Sequence, residues 1–327
     1  MRAVHLPAFG DPSVVPAYVE IPEPAAPAVG QVLIEVLYAP VNHNDLLVMG
    51  GKFPYHPELP AVLGNEAVGR VIALGAGVHH VKLGDLVTPP LYSGTWRERM
   101  LLEAEGLFAL PPDADPQQLS MIRINPLTAG LMLSEYVDLQ AGDWIVQNAA
   151  NSGVGRAAIA LAKARGLRSI NLVRRAELVQ ELQAAGGDIV LVDEPGAAAK
   201  AAALVGDGKV RLALDGVSGA ATARLLEFLS PGAAIVGYAN MGGHKTAPGD
   251  LMQLMYKSVS SYFFYQNRPQ FRARVPALLR EAARMVAAGR LHTPVARTYR
   301  LSEVAEAIAH TLAGGKVLLD VAERRGY

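Results

Sequence analysis

The chain has 327 residues, enough for two domains of about 100–200 residues each, and its 30 basic side chains balance its 30 acidic ones, so no global field favours nucleic acid or an anionic membrane. With 51% hydrophobic and only 18% charged residues, a small and largely apolar partner fits better. Cysteine is absent, which excludes disulfides, thiol catalysis, iron–sulfur clusters and every cysteine-containing zinc site, and accords with a reducing compartment. The amino-terminal run MRAVHLPAFGDPSVVPAYVE has neither a signal-peptide core nor an Arg/Ser-rich leader. No apolar run reaches the roughly 18–20 residues of a membrane span, and a soluble, cytoplasmic protein is expected.

From 31 to about 108 the chain is rich in glycine and proline, with short apolar runs QVLIEVLYAPVN, AVGRVIAL, GDLVTPP and GLFALPP. This is the pattern of short strands and turns in an all-β unit. Around Asp115 the character changes: DPQQLSMIRINPLTAGLMLSEYV reads as helical. After it β-branched runs alternate with alanine-rich stretches. The strands are DWIVQN, SINLV, DIVLVD, VRLALDGV, AAIVGY and SVSSYFF; the helices are VGRAAIALAKARG, AELVQELQAAGG, PGAAAKAAALVGDG and GAATARLLEFLS. Near-continuous apolar strands separated by helices predict a doubly wound parallel sheet, covered on both faces. The tail adds a long helix in RARVPALLREAARMVAAGRL, a second in SEVAEAIAHTLAGG with Ser302 as its expected N-cap, and a closing strand KVLLDV.

The strongest single motif is QNAANSGVGR at 147–156, which follows a predicted strand and opens a predicted helix. Such a turn lets backbone N–H groups and the helix N-terminus approach a pyrophosphate, and assigns Asn151, Ser152, Gly153, Val154 and Gly155 to a dinucleotide. It departs from G-x-G-x-x-G, because Ala149 and Asn151 hold the early positions. The next strand ends not on a carboxylate, as NAD-binding domains usually do, but on Arg174 and Arg175. Two guanidinium groups suit a 2′-phosphate, so NADP(H) is the expected cofactor. The competing reading makes both arginines solvated surface residues, although cations are disfavoured at a helix start unless an anion compensates them.

PELPAVLGNEAVG, QNAANSGVGRAAI, GLRSINLVRR and RLALDGVSG occur in this order over nearly the whole length. In them the chain resembles the medium-chain dehydrogenase/reductase superfamily, in its zinc-independent branch of quinone oxidoreductases and mitochondrial-type 2-enoyl thioester reductases. The resemblance implies an α/β fold: a doubly wound, six-stranded parallel Rossmann domain, 119–266, inserted in a β-rich GroES-like catalytic domain, 1–118, which 267–327 completes. In zinc-dependent members Gly64–Asn65–Glu66 would read Gly-His-Glu; here Asn65 takes the place of the metal-binding histidine. No metal is expected, and His43, His56, His79 and His80 read as scattered surface histidines.

Without a Lewis acid, alcohol oxidation gives way to conjugate reduction, in which NADPH delivers hydride to an activated alkene or a quinone. The resemblance puts a proton-donating tyrosine just before Pro-Glu-Leu-Pro, where this chain has Phe53. Tyr55, two residues on in an extended segment, either replaces the missing hydroxyl or only lines the pocket. The resemblance also implies Asn42 near the nicotinamide and phosphates, Thr128 bordering the cofactor, and Tyr238 and Met241 near the nicotinamide ribose. By the same resemblance Asn44, Phe53, Tyr55 and Tyr265 are expected at the substrate pocket. Lys316 reads equally as a phosphate contact or a helix C-terminal cation, and Glu66 as structural. The aromatic run YFFY at 262–265 is expected to be a buried edge or homodimer-interface strand rather than a substrate platform. The loss of the family tyrosine at Phe53 keeps open a second class of function, an NADPH-binding structural or regulatory protein with little catalysis.

Overall fold

The computed structural model describes residues 1–244 and 250–322. The chain divides into two compact units, one running from Met1–Ile124 and resuming at Leu279, the other Asn125–Leu278; the sequence reading places the insertion at 119–266.

The first unit opens with β1 (Arg2–Leu6), β2 (Ala17–Glu20) and β3 (Gln31–Val41), then α1 (His43–Met49). It continues through β4 (Ala61–Val62), β5 (Val68–Leu74), β6 (Leu86–Val87), β7 (Arg99–Glu103) and the short α2 (Pro116–Leu119). The strands make a small sheet in the order β2-β1-β4 and a larger one built on β3, which pairs antiparallel with both β5 and β7. Period-2 alternation is visible in β3: Val32, Ile34 and Val36 are fully buried, whereas Leu33 and Glu35 between them are half-buried. These residues pack with Trp96 and Met100 into the core of this unit.

The second unit holds α3 (Asn125–Glu135), β8 (Trp144–Gln147), α4 (Gly153–Ala164), β9 (Arg168–Val173), α5 (Leu178–Ala184) and β10 (Ile189–Val192). There follow α6 (Ala197–Val205), β11 (Val210–Asp215), α7 (Ala220–Phe228), β12 (Ala234–Gly237), α8 (Leu251–Tyr256) and β13 (Ser260–Phe263). The six strands form one sheet in the order β10-β9-β8-β11-β12-β13, every pairing parallel. Counted from β8 this is the 3-2-1-4-5-6 order of doubly wound dinucleotide-binding sheets, whose switch point lies beside the first strand. The central strands are mainly apolar because helices cover both faces; all of β8 is buried.

The chain then forms α9 (Val275–Ala287), β14 (Arg297–Arg300), α10 (Val304–Ala313) and β15 (Val317–Asp320). β14 and β15 extend the β3 sheet of the first unit, with β15 antiparallel to β3.

Three expectations are corrected. GLFALPP forms no strand; β7, just before it, takes the place beside β3. The helical run beginning at Asp115 is broken by turns between α2 and α3. Ser302 is not an N-cap: residues Leu301–Glu303 form a 3-10 turn, closed by Glu303 Oε2 accepting from the Arg300 N–H at 2.8 Å, and α10 starts after it. Among the described residues no helix is long and apolar enough to cross a membrane.

Candidate active-site groups

In the first unit, β3 delivers Asn42 to the start of α1. The Asn42 N–H donates to Asp45 Oδ2 at 2.7 Å, so the N-x-x-D spacing closes the first turn of the helix. The Asn42 side chain is engaged elsewhere: its Nδ2 donates to Glu66 Oε1 at 2.9 Å, and its Oδ1 accepts from the Lys316 ammonium. Glu66 Oε2 accepts in turn from the main-chain N–H groups of Arg123 (3.1 Å) and Ile124 (2.9 Å). Glu66 is fully buried and uses both oxygens in pairing, consistent with its structural reading. Lys316, from the start of β15, therefore fixes the Asn42 amide, a role added to its two sequence readings.

This is a dense group of charges, with Asp45 and Glu66 buried and Lys316 and Arg123 half-buried. Burial raises the Asp45 carboxyl to about 7, against the pull of the Asn42 N–H and of Lys316. Burial also raises Glu66, opposed mainly by Lys316. The Lys316 ammonium is pushed down by burial and supported by both carboxylates. Burial brings Arg123 down to about 10, with Glu66 opposing the shift.

Gly64 sets the geometry of this group. Its φ is +101°, and a Cβ there would lie 2.4 Å from Thr95 Oγ1 and from the Trp96 ring. Only glycine lets the chain turn against Trp96 and present Asn65 and Glu66 side by side. Asn65 is buried, and its Nδ2 finds no hydrogen-bond partner among the described residues.

Phe53 and Tyr55 are both half-buried, alternating with exposed Lys52, Pro54 and His56, so they share a side of the extended segment as their spacing predicts. Tyr55 stacks on Tyr92, with ring centroids 4.2 Å apart, and its hydroxyl donates to the Tyr92 carbonyl at 3.4 Å. Phe53 approaches the same ring at 6.2 Å. Burial raises the Tyr55 phenol. Tyr92 itself has φ +60°, a left-handed conformation that a bulky residue rarely adopts. Asn44 is half-buried with Oδ1 unpaired among the described residues.

In the second unit, the candidate cofactor residues lie at the carboxyl ends of the parallel strands. Gln147 of β8 is in register with Asn171 of β9 and with Leu214 of β11, and Asp215 of β11 with Gly237 of β12. The phosphate turn, Arg174 and Tyr238 thus leave the same edge of the sheet. Ser152 caps α4, its Oγ accepting from the Gly155 N–H at 3.1 Å, and Val154 lies in the first turn. A Cβ on Gly155 would meet the Ala150 carbonyl oxygen at 2.5 Å, so close strand-to-helix packing requires this glycine. Arg156 folds back to donate to the Asn151 carbonyl at 3.2 Å.

Arg174 and Arg175 are exposed beyond β9, before α5 begins; Arg175 pairs with Glu177 at 3.3 Å. Tyr238 has its hydroxyl packed over Gly216, and burial pushes its phenol up to about 12, with Ser152 pulling the other way. Met241 is exposed, while Thr128 is buried and donates to Gln266 Oε1 at 3.1 Å. Tyr265 is half-buried, its hydroxyl accepting from Asn267 at 3.4 Å. β13, with Tyr262 and Phe263, is an edge strand exposed along its length, which corrects the buried-edge alternative and leaves the interface alternative.

Sequence reasoning missed the polar frame beneath the turn. Gln147 Nε2 donates to the Gly155 carbonyl (2.9 Å) and to Asn171 Oδ1 (2.8 Å). Asn148 Nδ2 donates to Asp215 Oδ1 (2.7 Å), which also accepts from the N–H groups of Val217 and Ser218. The signal was available: Gln147, Asn148 and Asn171 are amides in otherwise apolar strands, and buried amides require partners. Tyr92 left no such trace, because its conformation is not written in its side chain.

Comparison with known proteins follows this architecture. Residues 28–112 match the family model described as alcohol dehydrogenase GroES-like domain, and residues 171–317 that described as zinc-binding dehydrogenase. The chain is 37% identical over 245 residues to a protein of Dictyostelium discoideum named mitochondrial enoyl-[acyl-carrier-protein] reductase, covering 72% of this chain and 69% of that one. Alignments to the first such relatives span 64–72% of their lengths. Among solved structures, a complex of Etr1p with NADP and crotonyl-CoA superposes with TM-score 0.87 at 24% identity, over 98% of this chain and 99% of that one, which establishes the fold. Escherichia coli quinone oxidoreductase complexed with NADPH gives TM-score 0.83 at 26% identity, over 98% and 100%. The chain belongs to the medium-chain dehydrogenase/reductase superfamily and, within it, to the family of mitochondrial-type enoyl-[acyl-carrier-protein] reductases.

The zinc implied by one family description does not fit the donor set. Asn65 stands beside Glu66, an ammonium sits on Asn42, the sequence has no cysteine, and no cluster of three His, Asp or Glu side chains occurs among the described residues. A dinucleotide does fit: a serine-capped helix N-terminus beside exposed arginines, at the carboxyl edge of the sheet, matches phosphate groups.

Proposed function

We propose that the chain is an NADPH-dependent, zinc-independent reductase of activated carbon–carbon double bonds, with enoyl thioesters as the first substrate class and enones, alkenals or quinones as the others. The observation that carries this reading is the sheet edge just described, where Arg174 and Arg175 replace the usual carboxylate beside a capped helix N-terminus. The relatives named enoyl-[acyl-carrier-protein] reductases and the NADP- and NADPH-bound structural neighbours support it. When bound, NADPH supplies the hydride.

The chain's own residues do the rest. The Ser152–Gly155 turn binds the pyrophosphate, with Asn151 and Val154 alongside, and the two arginines hold the 2′-phosphate. Thr128 borders the cofactor, and Tyr238 and Met241 its nicotinamide ribose. Asn42, its amide fixed by Glu66 and Lys316, orients its remaining N–H toward cofactor or substrate. Tyr55 donates the proton that completes reduction, and Asn44, Phe53 and Tyr265 shape the substrate pocket. In the same reading the protein is a homodimer joined at β13 and works in the cytoplasm. The relatives carry "mitochondrial" in their names, so cell fractionation of the full-length protein decides the compartment.

The test is steady-state NADPH oxidation with enoyl thioesters, alkenals and quinones. Turnover with at least one class is expected, and Arg174→Ala with Arg175→Ala should raise KM for NADPH at least tenfold while leaving that for NADH nearly unchanged. Absence of turnover with every class sinks the reading. Tight NADPH binding without turnover would instead favour the structural or regulatory role that Phe53, lacking the family hydroxyl, keeps in view.

A further inference from the structure

Tyr55 lines a recess of about 10 Å³, together with Asp45, Val48, Asn65 and Tyr92 among others. That is the space of one water molecule. Two of these lining residues each have a buried polar atom that forms no hydrogen bond among the described residues, Asp45 Oδ1 and Asn65 Nδ2. An acceptor and a donor left open on the same small cavity are the partners an ordered water needs. Tyr55 contributes a third polar group: its hydroxyl gives its proton to the Tyr92 carbonyl, leaving oxygen lone pairs to accept from a water.

We propose that this recess holds one ordered water through which Asp45 returns a proton to Tyr55 after each turnover, making Asp45 a relay residue. The inference rests on the reading of Tyr55 as the proton donor. When the β-carbon of the substrate has been reduced, an enolate remains. The Tyr55 O–H bond breaks, a C–H bond forms at the α-carbon, and the electron pair stays on the phenolate oxygen. The Asp45 O–H then breaks, and its proton passes through the water to the phenolate. The resulting carboxylate takes its next proton from solvent.

The surroundings of Asp45 suit that task. Its Oδ2 accepts from the Asn42 N–H, which leaves Oδ1 to carry the proton toward the recess. The Lys316 ammonium, the Glu66 carboxylate and the main-chain N–H of Asn65 face the same carboxyl group; the Arg123 guanidinium acts on Glu66. Burial, with Glu66, opposes ionisation while the Asn42 N–H and Lys316 favour it, so the carboxyl is poised at about 7, below the Tyr55 phenol, which burial raises. Transfer from Asp45 to a Tyr55 phenolate is therefore downhill.

The test pairs Asp45→Asn with Val48→Ile; the second adds one methyl group to the recess wall without touching a charge. In the wild type, kcat should fall as pH rises through about 7, because the acid form of Asp45 is the competent one. Asp45→Asn should lower kcat at least tenfold and abolish that limb, with KM for NADPH unchanged. Val48→Ile should raise the solvent deuterium isotope effect on kcat. Infrared titration without cofactor should find a protonated carboxyl band that disappears near neutral pH in the wild type and is missing from Asp45→Asn. An unaltered pH profile in Asp45→Asn overturns the relay; if that variant does not fold, an unaltered isotope effect in Val48→Ile does so. In either case a wild-type enzyme that turns over leaves the reductase reading standing. If Tyr55→Phe keeps full kcat, Tyr55 is not the donor and the relay falls with it.

Discussion

At the scale of single residues, the two glycines of the phosphate turn differ in what they hold apart, although the sequence presents them alike. A Cβ at Gly155 would lie 2.5–2.7 Å from the main-chain oxygen and carbons of Ala150, atoms that move only if the turn moves. A Cβ at Gly153 would meet the side-chain amide of Asn125 at 2.4 Å, the end of a side chain that rotates away at small cost. Gly155→Ala should therefore destabilise the protein by about 1–3 kcal/mol, the usual penalty of overpacking, and weaken NADPH binding at least tenfold. Gly153→Ala should cost under about 1 kcal/mol. Urea denaturation and fluorescence titration of both variants check the order; equal penalties would mean that the turn relaxes around either methyl group.

At the scale of elements, β13 ends the parallel sheet with an unpaired outer edge among the described residues. Such edges invite pairing with another chain unless they are blunted. This one carries no charge, and its Tyr262 and Phe263 are 40% and 57% exposed. The Ser260 N–H donates inward to the Ala233 carbonyl and the Phe264 N–H to that of Gly237. By the alternation of a strand, Ser261 and Phe263 point their backbone groups outward. Ser261→Pro therefore removes an outward donor while leaving the β12 pairing intact. If two copies join here, as the proposed homodimer requires, this variant should sediment as a monomer with an unchanged circular-dichroism spectrum. A variant that stays dimeric would move the interface elsewhere.

At the scale of the whole molecule, the two units were unequally legible. The inserted unit could be followed strand by strand, because a parallel sheet covered on both faces needs continuous apolar runs such as WIVQ and VRLALD. In the first unit the strand β14, RTYR, has no such run, and α1 is a seven-residue helix whose N-x-x-D signal is easily passed over. Of the charged group around Asn42, Glu66 and Lys316 were legible as residues, Asp45 was not, and nothing marked them as a group. Asp45, Glu66 and Lys316 are brought together by α1, the segment before β5 and the start of β15, and no local pattern encodes a contact across more than 250 residues. That long-range contact ties folding stability to pH. The Asp45 carboxyl, raised in the folded chain from 3.8 to about 7, holds a proton that the unfolded chain releases, so its contribution is complete below pH 4 and is lost as pH rises through 7. Lys316 limits that loss by compensating the ionised carboxylates. Lys316→Met removes that compensating charge and should cost about 3 kcal/mol at pH 8, where Asp45 is charged. At pH 5 the penalty should be clearly smaller, because Asp45 is then neutral. Urea midpoints of wild type and variant at the two pH values check this; a penalty independent of pH would show that Lys316 acts by packing rather than by charge.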